Sequence, residues 1–249
     1  MKDHQSTGTF KRMNLFRTGN LGSLFGWMAA GVIALAISPA PAAANLQLLP
    51  TPPDQGAPSG RQRGGATRGD CLAYQDLTAL VPLVNGVVWS ETASDAPSFF
   101  FDIPAPLTPQ TPLEFVIQDS NDDYVFHQEL SVEADAGIVE LAVPTGKAAL
   151  TPGETYAWTL SVYCDAARPS ASVSVTGTLK RVDSLSVALP EDSLMRVRQY
   201  AAVGLWHESI KLAFDLYQRA PGNAEYVASI EALLDQAGLA DVPLSAPQL

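Results

Sequence analysis

Histidine and cysteine are scarce in this chain, with three and two copies among 249 residues. The scarcity narrows the chemistry, because imidazole is the usual general base and metal ligand, and a thiolate is a ready nucleophile. Beyond the first 44 residues only His127 and His207 remain. A serine nucleophile would have to rely on one of them, and the strained elbow Gly-x-Ser-x-Gly is absent. Neither histidine has the cysteine or histidine spacing of a zinc site. The expectation is therefore a non-enzymatic protein with no catalytic residue, no cofactor and no metal ligand.

Long apolar runs are missing as well. The best candidate, residues 24–37, has about 14 residues where a spanning helix needs roughly 20. It follows Lys2, Lys11, Arg12 and Arg17 and precedes Ser38-Pro39-Ala40-Pro41-Ala42-Ala43-Ala44. A basic stretch, a short apolar stretch and an A-x-A pattern make a secretory signal, here residues 1–44 with cleavage after Ala44. The alternative is an uncleaved anchor. No cysteine sits at the cleavage point for a lipid, and no twin arginine precedes the run, so the general export route is expected, ending in the periplasm or outside the cell.

Basic residues are the third shortage. Without residues 1–44 the chain carries 11 Lys and Arg against 25 Asp and Glu, a net charge of −14. Phosphate backbones and anionic lipid surfaces repel such a protein, which excludes nucleic acid as a partner. Cys71 and Cys164 both lie downstream of the signal, and no other cysteine exists. In an oxidising compartment they are expected to form one disulfide.

Residues 45–70 alternate Pro50, Pro52, Pro53 and Pro58 with Gly56, Gly60, Gly64, Gly65 and Gly69. With no apolar period, this stretch reads as a flexible lead made locally basic by Arg61, Arg63 and Arg68. Residues 71–183 carry strand signals. In Tyr156-Ala-Trp158-Thr-Leu160-Ser-Val162 and in Val173-Ser-Val175-Thr-Gly177-Thr-Leu179, apolar or small residues alternate with polar ones, the pattern of half-buried strands. Leu113, Phe115 and Ile117 share another strand face, and Tyr124, Phe126 and Leu130 a further one, with the turn residues Asp119-Ser-Asn121-Asp122 between them. Strands are also expected at 77–81, 87–91, 98–103 and 138–143. Seven or eight short strands predict a mainly β fold: an antiparallel, immunoglobulin-like β-sandwich.

After Pro190 the period becomes helical, and residues 184–249 are expected to form about three helices packed on the sandwich. Leu194, Val197, Tyr200, Ala201 and Leu205 mark the first, closed by Gly204; the second spans 206–219; Asn223 caps the third, which ends at Gly238. Gly204-Leu-Trp206-His-Glu-Ser-Ile210 followed by Pro221-Gly-Asn-Ala224-Glu is similar to part of a tetratricopeptide unit, but a stable array usually needs about three units.

Gly64-Gly65-Ala66-Thr67-Arg68-Gly69, Cys71, Leu77-Thr78-Ala79-Leu80-Val81-Pro82, Glu114-Phe115-Val116-Ile117-Gln118-Asp119, Tyr156-Ala157-Trp158, Cys164-Asp165 and Gly204-Leu205-Trp206 together resemble a family, chiefly from cyanobacteria, known as domain of unknown function 928. The resemblance covers nearly all of the chain beyond the signal, although Ala66 stands where members often carry Arg or Gly. It implies an exported protein with a sandwich-plus-helices build, and implies no activity.

Three side-chain sets invite chemistry. Asp119-Ser-Asn121-Asp122-Asp123 imitates the opening of a calcium loop, but Tyr124 and Leu130 stand where Gly and Glu are needed, so a hairpin turn is expected. Glu129, Glu133 and Asp135 could act as paired carboxylates on an envelope polysaccharide, the competing enzymatic reading. Of the aromatics, Trp158, Phe99 and Phe101 fall at inward positions, whereas Phe100 and Tyr163 fall outward. Arg68, Phe100, Tyr163 and Trp206 are the expected contacts for a protein or peptide partner in the cell envelope, with a structural envelope component as a third possibility.

Overall fold

The computed structural model describes residues 59–65, 71–148, 150–165, 167–168, 170–184 and 188–249. The expected signal, most of the Pro/Gly lead and Arg68 lie outside them. A 3-10 turn, Leu72–Tyr74, precedes nine strands: β1 (Thr78–Ala79), β2 (Leu83–Val84), β3 (Val87–Thr92), β4 (Ser98–Ile103), β5 (Leu113–Gln118), β6 (Tyr124–Leu130), β7 (Gly137–Ala142), β8 (Thr155–Tyr163) and β9 (Ser172–Arg181). Three helices follow: α1 (Ser193–Ala202), α2 (Trp206–Arg219) and α3 (Ala224–Gln236).

The strands form two sheets, ordered β1-β4-β7 and β2-β3-β9-β8-β5-β6. All pairs are antiparallel except β3 with β9. That parallel pair departs from the antiparallel expectation. Parallel neighbours need a long connection, and here β4 to β8, which visit both sheets, intervene before β9 comes back beside β3. Strand β2 also goes beyond the expected set. Asn85-Gly86 joins it to β3 with φ of +52° and +81°, the left-handed pair that closes a two-residue hairpin.

Alternation aims one face of each sheet at the other. Phe99 and Phe101 of β4 meet Phe115 of β5 and Trp158 of β8, with ring centroids 4.8–6.0 Å apart for Phe99–Phe115, Phe99–Trp158, Phe101–Phe115 and Phe101–Trp158. Gly177 lies under the Trp158 indole, where an added Cβ would stand 2.4 Å from the ring. That close approach explains a glycine inside an alternating strand.

The opposite face of β1-β4-β7 is buried too. Phe100 and Ile138 join Leu80 in a second core with Val197, Trp206, Ile210, Phe214 and Leu233 of the helices. Phe100 stacks on Phe214 at 4.7 Å and is 1% exposed, and Trp206 is 2% exposed, its indole N–H donating to the Leu80 carbonyl at 2.8 Å. Both were expected at a partner surface, and both are instead interior. Phe100 does point away from the sandwich core, as alternation requires, but the helical layer covers that side.

His207 at the start of α2 ties the layers together. Its Nδ1 lies 2.8 Å from the Ser98 carbonyl of β4, and its Nε2 lies 2.9 Å from Ser90 Oγ of β3. A carbonyl only accepts, so Nδ1 carries the proton and Nε2 accepts from the serine hydroxyl. The helix ends follow the sequence signals. Asp192 and Asn223 cap α1 and α3 by accepting from Met195 N at 2.7 Å and Glu225 N at 2.9 Å, and Gly204 and Gly238 close α1 and α3 at φ of +82° and +75°.

Cys71 and Cys164 are bridged across 93 positions, as expected. The bond joins the approach to β1, in one sheet, to the end of β8, in the other. In the chain-entropy account a loop of that length contributes roughly 4–5 kcal/mol. Residues 59–65, expected as part of the flexible lead, are paired instead. Arg61 bridges Thr176 of β9, Arg63 bridges Thr78 of β1, and the buried Gln62 amide donates to the Val81 and Ala237 carbonyls at 2.6 and 3.1 Å. A proline- and glycine-rich segment gains order here by pairing with the edge strand β1 and with the stretch of β9 that β3 leaves unpaired, a contribution that needs backbone rather than apolar side chains.

Two outcomes are expected. Phe100→Ala removes the ring that joins sheet to helices and should cost about 3–5 kcal/mol in a denaturant melt; an unchanged midpoint would contradict the layer assignment. Burial holds the His207 pKa below its ordinary 6.5, against smaller opposing effects of the Ser98 carbonyl and Glu208. The unfolded chain therefore takes up this proton first as pH falls below about 6.5, and stability contributed at neutral pH is lost on acidification. Melts between pH 7.5 and 5 should show a steeper loss for the wild type than for His207→Gln, which cannot titrate.

Candidate functional site

With one face of the small sheet under helices and the other in the sandwich core, the β body presents the outer side of the six-stranded sheet. Its free end is β6, which among the described residues pairs only with β5. Phe126 points into the core, so His127 and Glu129 point outward, while Val125 at the bulge packs against the core margin. Across the ladder Glu114 stands opposite Glu129, and Val116 opposite His127. On the other side of β5, Glu114 pairs with Ser161 of β8, two residues before Tyr163. Three strands thus deliver Glu114, His127, Glu129 and Tyr163 to one patch.

His127 Nε2 lies 3.0 Å from Glu114 Oε1 and 4.0 Å from Glu129 Oε1. Side-chain exposure falls from 76% at Glu129 through 39% at His127 to 23% at Glu114, so the patch deepens toward β5. The Tyr163 hydroxyl donates to Glu114 Oε2, the oxygen that His127 does not touch. This hydrogen bond to the carboxylate, with partial burial second, pushes the Tyr163 pKa up to about 12. The phenol remains a donor at any physiological pH and fixes the Glu114 carboxylate in one orientation. Tyr124, expected on the Phe126 face, is instead 64% exposed, because the bulge between Phe126 and Tyr124 breaks the alternation there, and its ring lies 5.5 Å from the His127 ring.

Beside this patch an open cleft of about 370 Å³ follows the β6 edge, lined by Tyr124, Phe126, His127 and Gln128, and by Pro144 and Lys147 from the segment after β7. A smaller cleft of about 220 Å³ lies between α1 and α3, lined by Ala201, Ala228 and Ala232 with Arg198 and Glu225.

Of the expected partner contacts, Tyr163 alone reaches this face, and its hydroxyl is engaged by Glu114. Phe100 and Trp206 are in the second core, and Arg68 lies outside the described residues. Among the carboxylates weighed for hydrolysis, Glu129 sits with Glu114 and His127. Asp135 instead exchanges hydrogen bonds with Gln248 near the C-terminus, its N–H donating to Gln248 Oε1 at 3.0 Å and its carbonyl accepting from Nε2 at 3.2 Å. The Asp119 carboxylate is occupied by the hairpin turn itself, accepting from Asn121 N and Asp123 N at 2.8 and 3.0 Å. Those bonds hold its pKa below the usual range.

Glu114 is the residue that the sequence reading missed, together with its grouping with His127. The alternation of His127 and Glu129 shows that they share a face. Their meeting with Glu114 depends on the β5–β6 register, which the turn sets, and a bulge between Ile117 and Gln118 shifts that register near the turn.

No curated protein matches the chain. The sequence model of the family described as Domain of Unknown Function (DUF928) matches residues 63–246, a span that runs from the Arg63 bridge to β1 through all three helices. The chain belongs to the family described as Domain of Unknown Function (DUF928).

Proposed function

We propose that this protein is an exported, non-enzymatic binding module that takes an extended segment of an envelope protein along the edge of β6. The carrying observation is how differently the sheet edges are treated. In the small sheet, Gln248 bridges β7 and Arg63 bridges β1. In the large sheet β2 has two residues, whereas β6 offers seven and pairs with no second strand among the described residues. A long open edge recruits another strand through its unpaired N–H and C=O groups. The neighbouring cleft supplies an aromatic ring and a cation, Tyr124 and Lys147, for side chains of that strand.

In this reading the two-sheet body is an immunoglobulin-like scaffold. The helical segment is a tetratricopeptide-like hairpin whose apolar side is engaged by the sheet, so recognition passes to the strand edge. The disulfide supports an oxidising compartment, as does the signal read in residues 1–44.

A displayed library of random peptides should yield binders that protect β6 amides in hydrogen exchange. Tyr124→Glu combined with Lys147→Glu should weaken them about tenfold or more, equivalent to roughly 1.4 kcal/mol. A library that yields nothing, or peptides that protect only α1 and α3, would remove the edge from consideration. For the compartment, residues 1–44 fused to an alkaline phosphatase reporter should give active, exported enzyme. The native chain should show no reactive thiol until reductant is added; two thiols reacting without it would place the protein in the cytosol.

A further inference from the structure

We infer that Glu114, His127 and Glu129 form a binding site for a divalent transition-metal ion of the Zn²⁺ class, with Tyr163 as the positioning residue behind it. This goes beyond the peptide-binding reading and stands independently of it.

The ligand chemistry comes first. One imidazole nitrogen and two carboxylate oxygens make a mixed N/O set, which suits Zn²⁺ and its first-row neighbours better than the oxygen-preferring Ca²⁺ or Mg²⁺. The three atoms lie within 4.8 Å of one another. Around a tetrahedral ion with bonds of about 2.0–2.2 Å, ligand atoms stand roughly 3.4 Å apart. The Glu114–His127 distance of 3.0 Å and the His127–Glu129 distance of 4.0 Å bracket that spacing. Small torsions of two exposed side chains bring all three to one centre.

The register supplies a second, independent reason. Glu114 and Glu129 are directly opposite on antiparallel strands, a placement in which like charges repel. An ion between them converts the repulsion into attraction. The Tyr163 hydroxyl adds a third. By holding Glu114 Oε2 it leaves Oε1 facing His127, the role that outer hydrogen bonds play in fixing a ligating carboxylate. Three protein ligands leave the fourth tetrahedral position facing solvent beside the β6 cleft, where water or an acidic group of a bound molecule would complete the shell.

The test uses the full-length chain without a polyhistidine tag, oxidised and stripped by chelator, titrated with Zn²⁺ in a calorimeter. One ion per chain is expected. His127→Gln and Glu129→Gln should each weaken binding at least about tenfold, and Tyr163→Phe by about 10-fold or more without changing the stoichiometry. Glu133→Gln, exposed and outside the triad, should leave the affinity unchanged. Because the Glu129 side chain is largely solvent-exposed, its variant keeps the test valid even where His127→Gln misfolds. Zinc should also shift the His127 imidazole nitrogen signals in NMR spectra. Absence of saturable binding up to millimolar Zn²⁺, equal affinity in Glu129→Gln, or full competition by equimolar Mg²⁺ would each overturn the site.

Discussion

Strand β4 is buried on both faces, and the architecture follows from that. A strand in a two-layer sandwich needs one apolar face, and Ser98-Phe99-Phe100-Phe101 has two. Phe99 and Phe101 fill the space between the sheets, and Phe100 must be covered from the other side. A sheet of three strands has too little surface to do this alone. The helices therefore form a third layer, fastened by the Phe100–Phe214 stack, by the Trp206 bond to Leu80 and by His207. His207 is notable in reaching β3 and β4 at once, so the start of α2 senses the relative placement of both sheets.

The same economy of edges governs the chain outside the regular elements. The 59–65 segment pairs with β9 and β1, and the C-terminal Gln248 pairs with β7 through bonds to Ile138 and Glu140. Arg63 and Asp241, from the two ends of the described fold, form an ion pair at 2.5 Å. It is exposed, so its stabilising effect is small; the backbone pairings and the disulfide fix these ends. Covering the small sheet on both faces and both edges leaves β6 and the adjoining outer face as the place where the β body meets its surroundings. Polar and aromatic groups concentrate there, with Glu114, His127 and Tyr163 drawn from three different strands.

Much of the fold was legible in the residues. Strand signals located eight of the nine strands to within a residue or two, and Asn223, Gly204 and Gly238 marked helix limits where the caps are found. The exception is β2, where Asn85-Gly86 carries a hairpin signal that the strand expectation did not include. The candidate site was legible only in pieces. His127 was recognisably outward, but a period of two gives the face of a strand and not its neighbour. Glu114 and Glu129 are 15 positions apart and meet through a register partly reset by a bulge.

Phe100 shows the boundary between the two kinds of information. Its outward direction was fixed by its place between Phe99 and Phe101, since side chains alternate along any strand. Whether that direction led to water or to a second core depended on where α2 came to rest, a long-range packing outcome that no local period encodes. The sequence by itself determined the strand and helix positions, the one possible disulfide and the acidic surface. Only the tertiary structure decided the two-sided burial of β4, the parallel β3–β9 pair and the meeting of Glu114, His127 and Glu129, because each depends on segments far apart in the chain packing against one another.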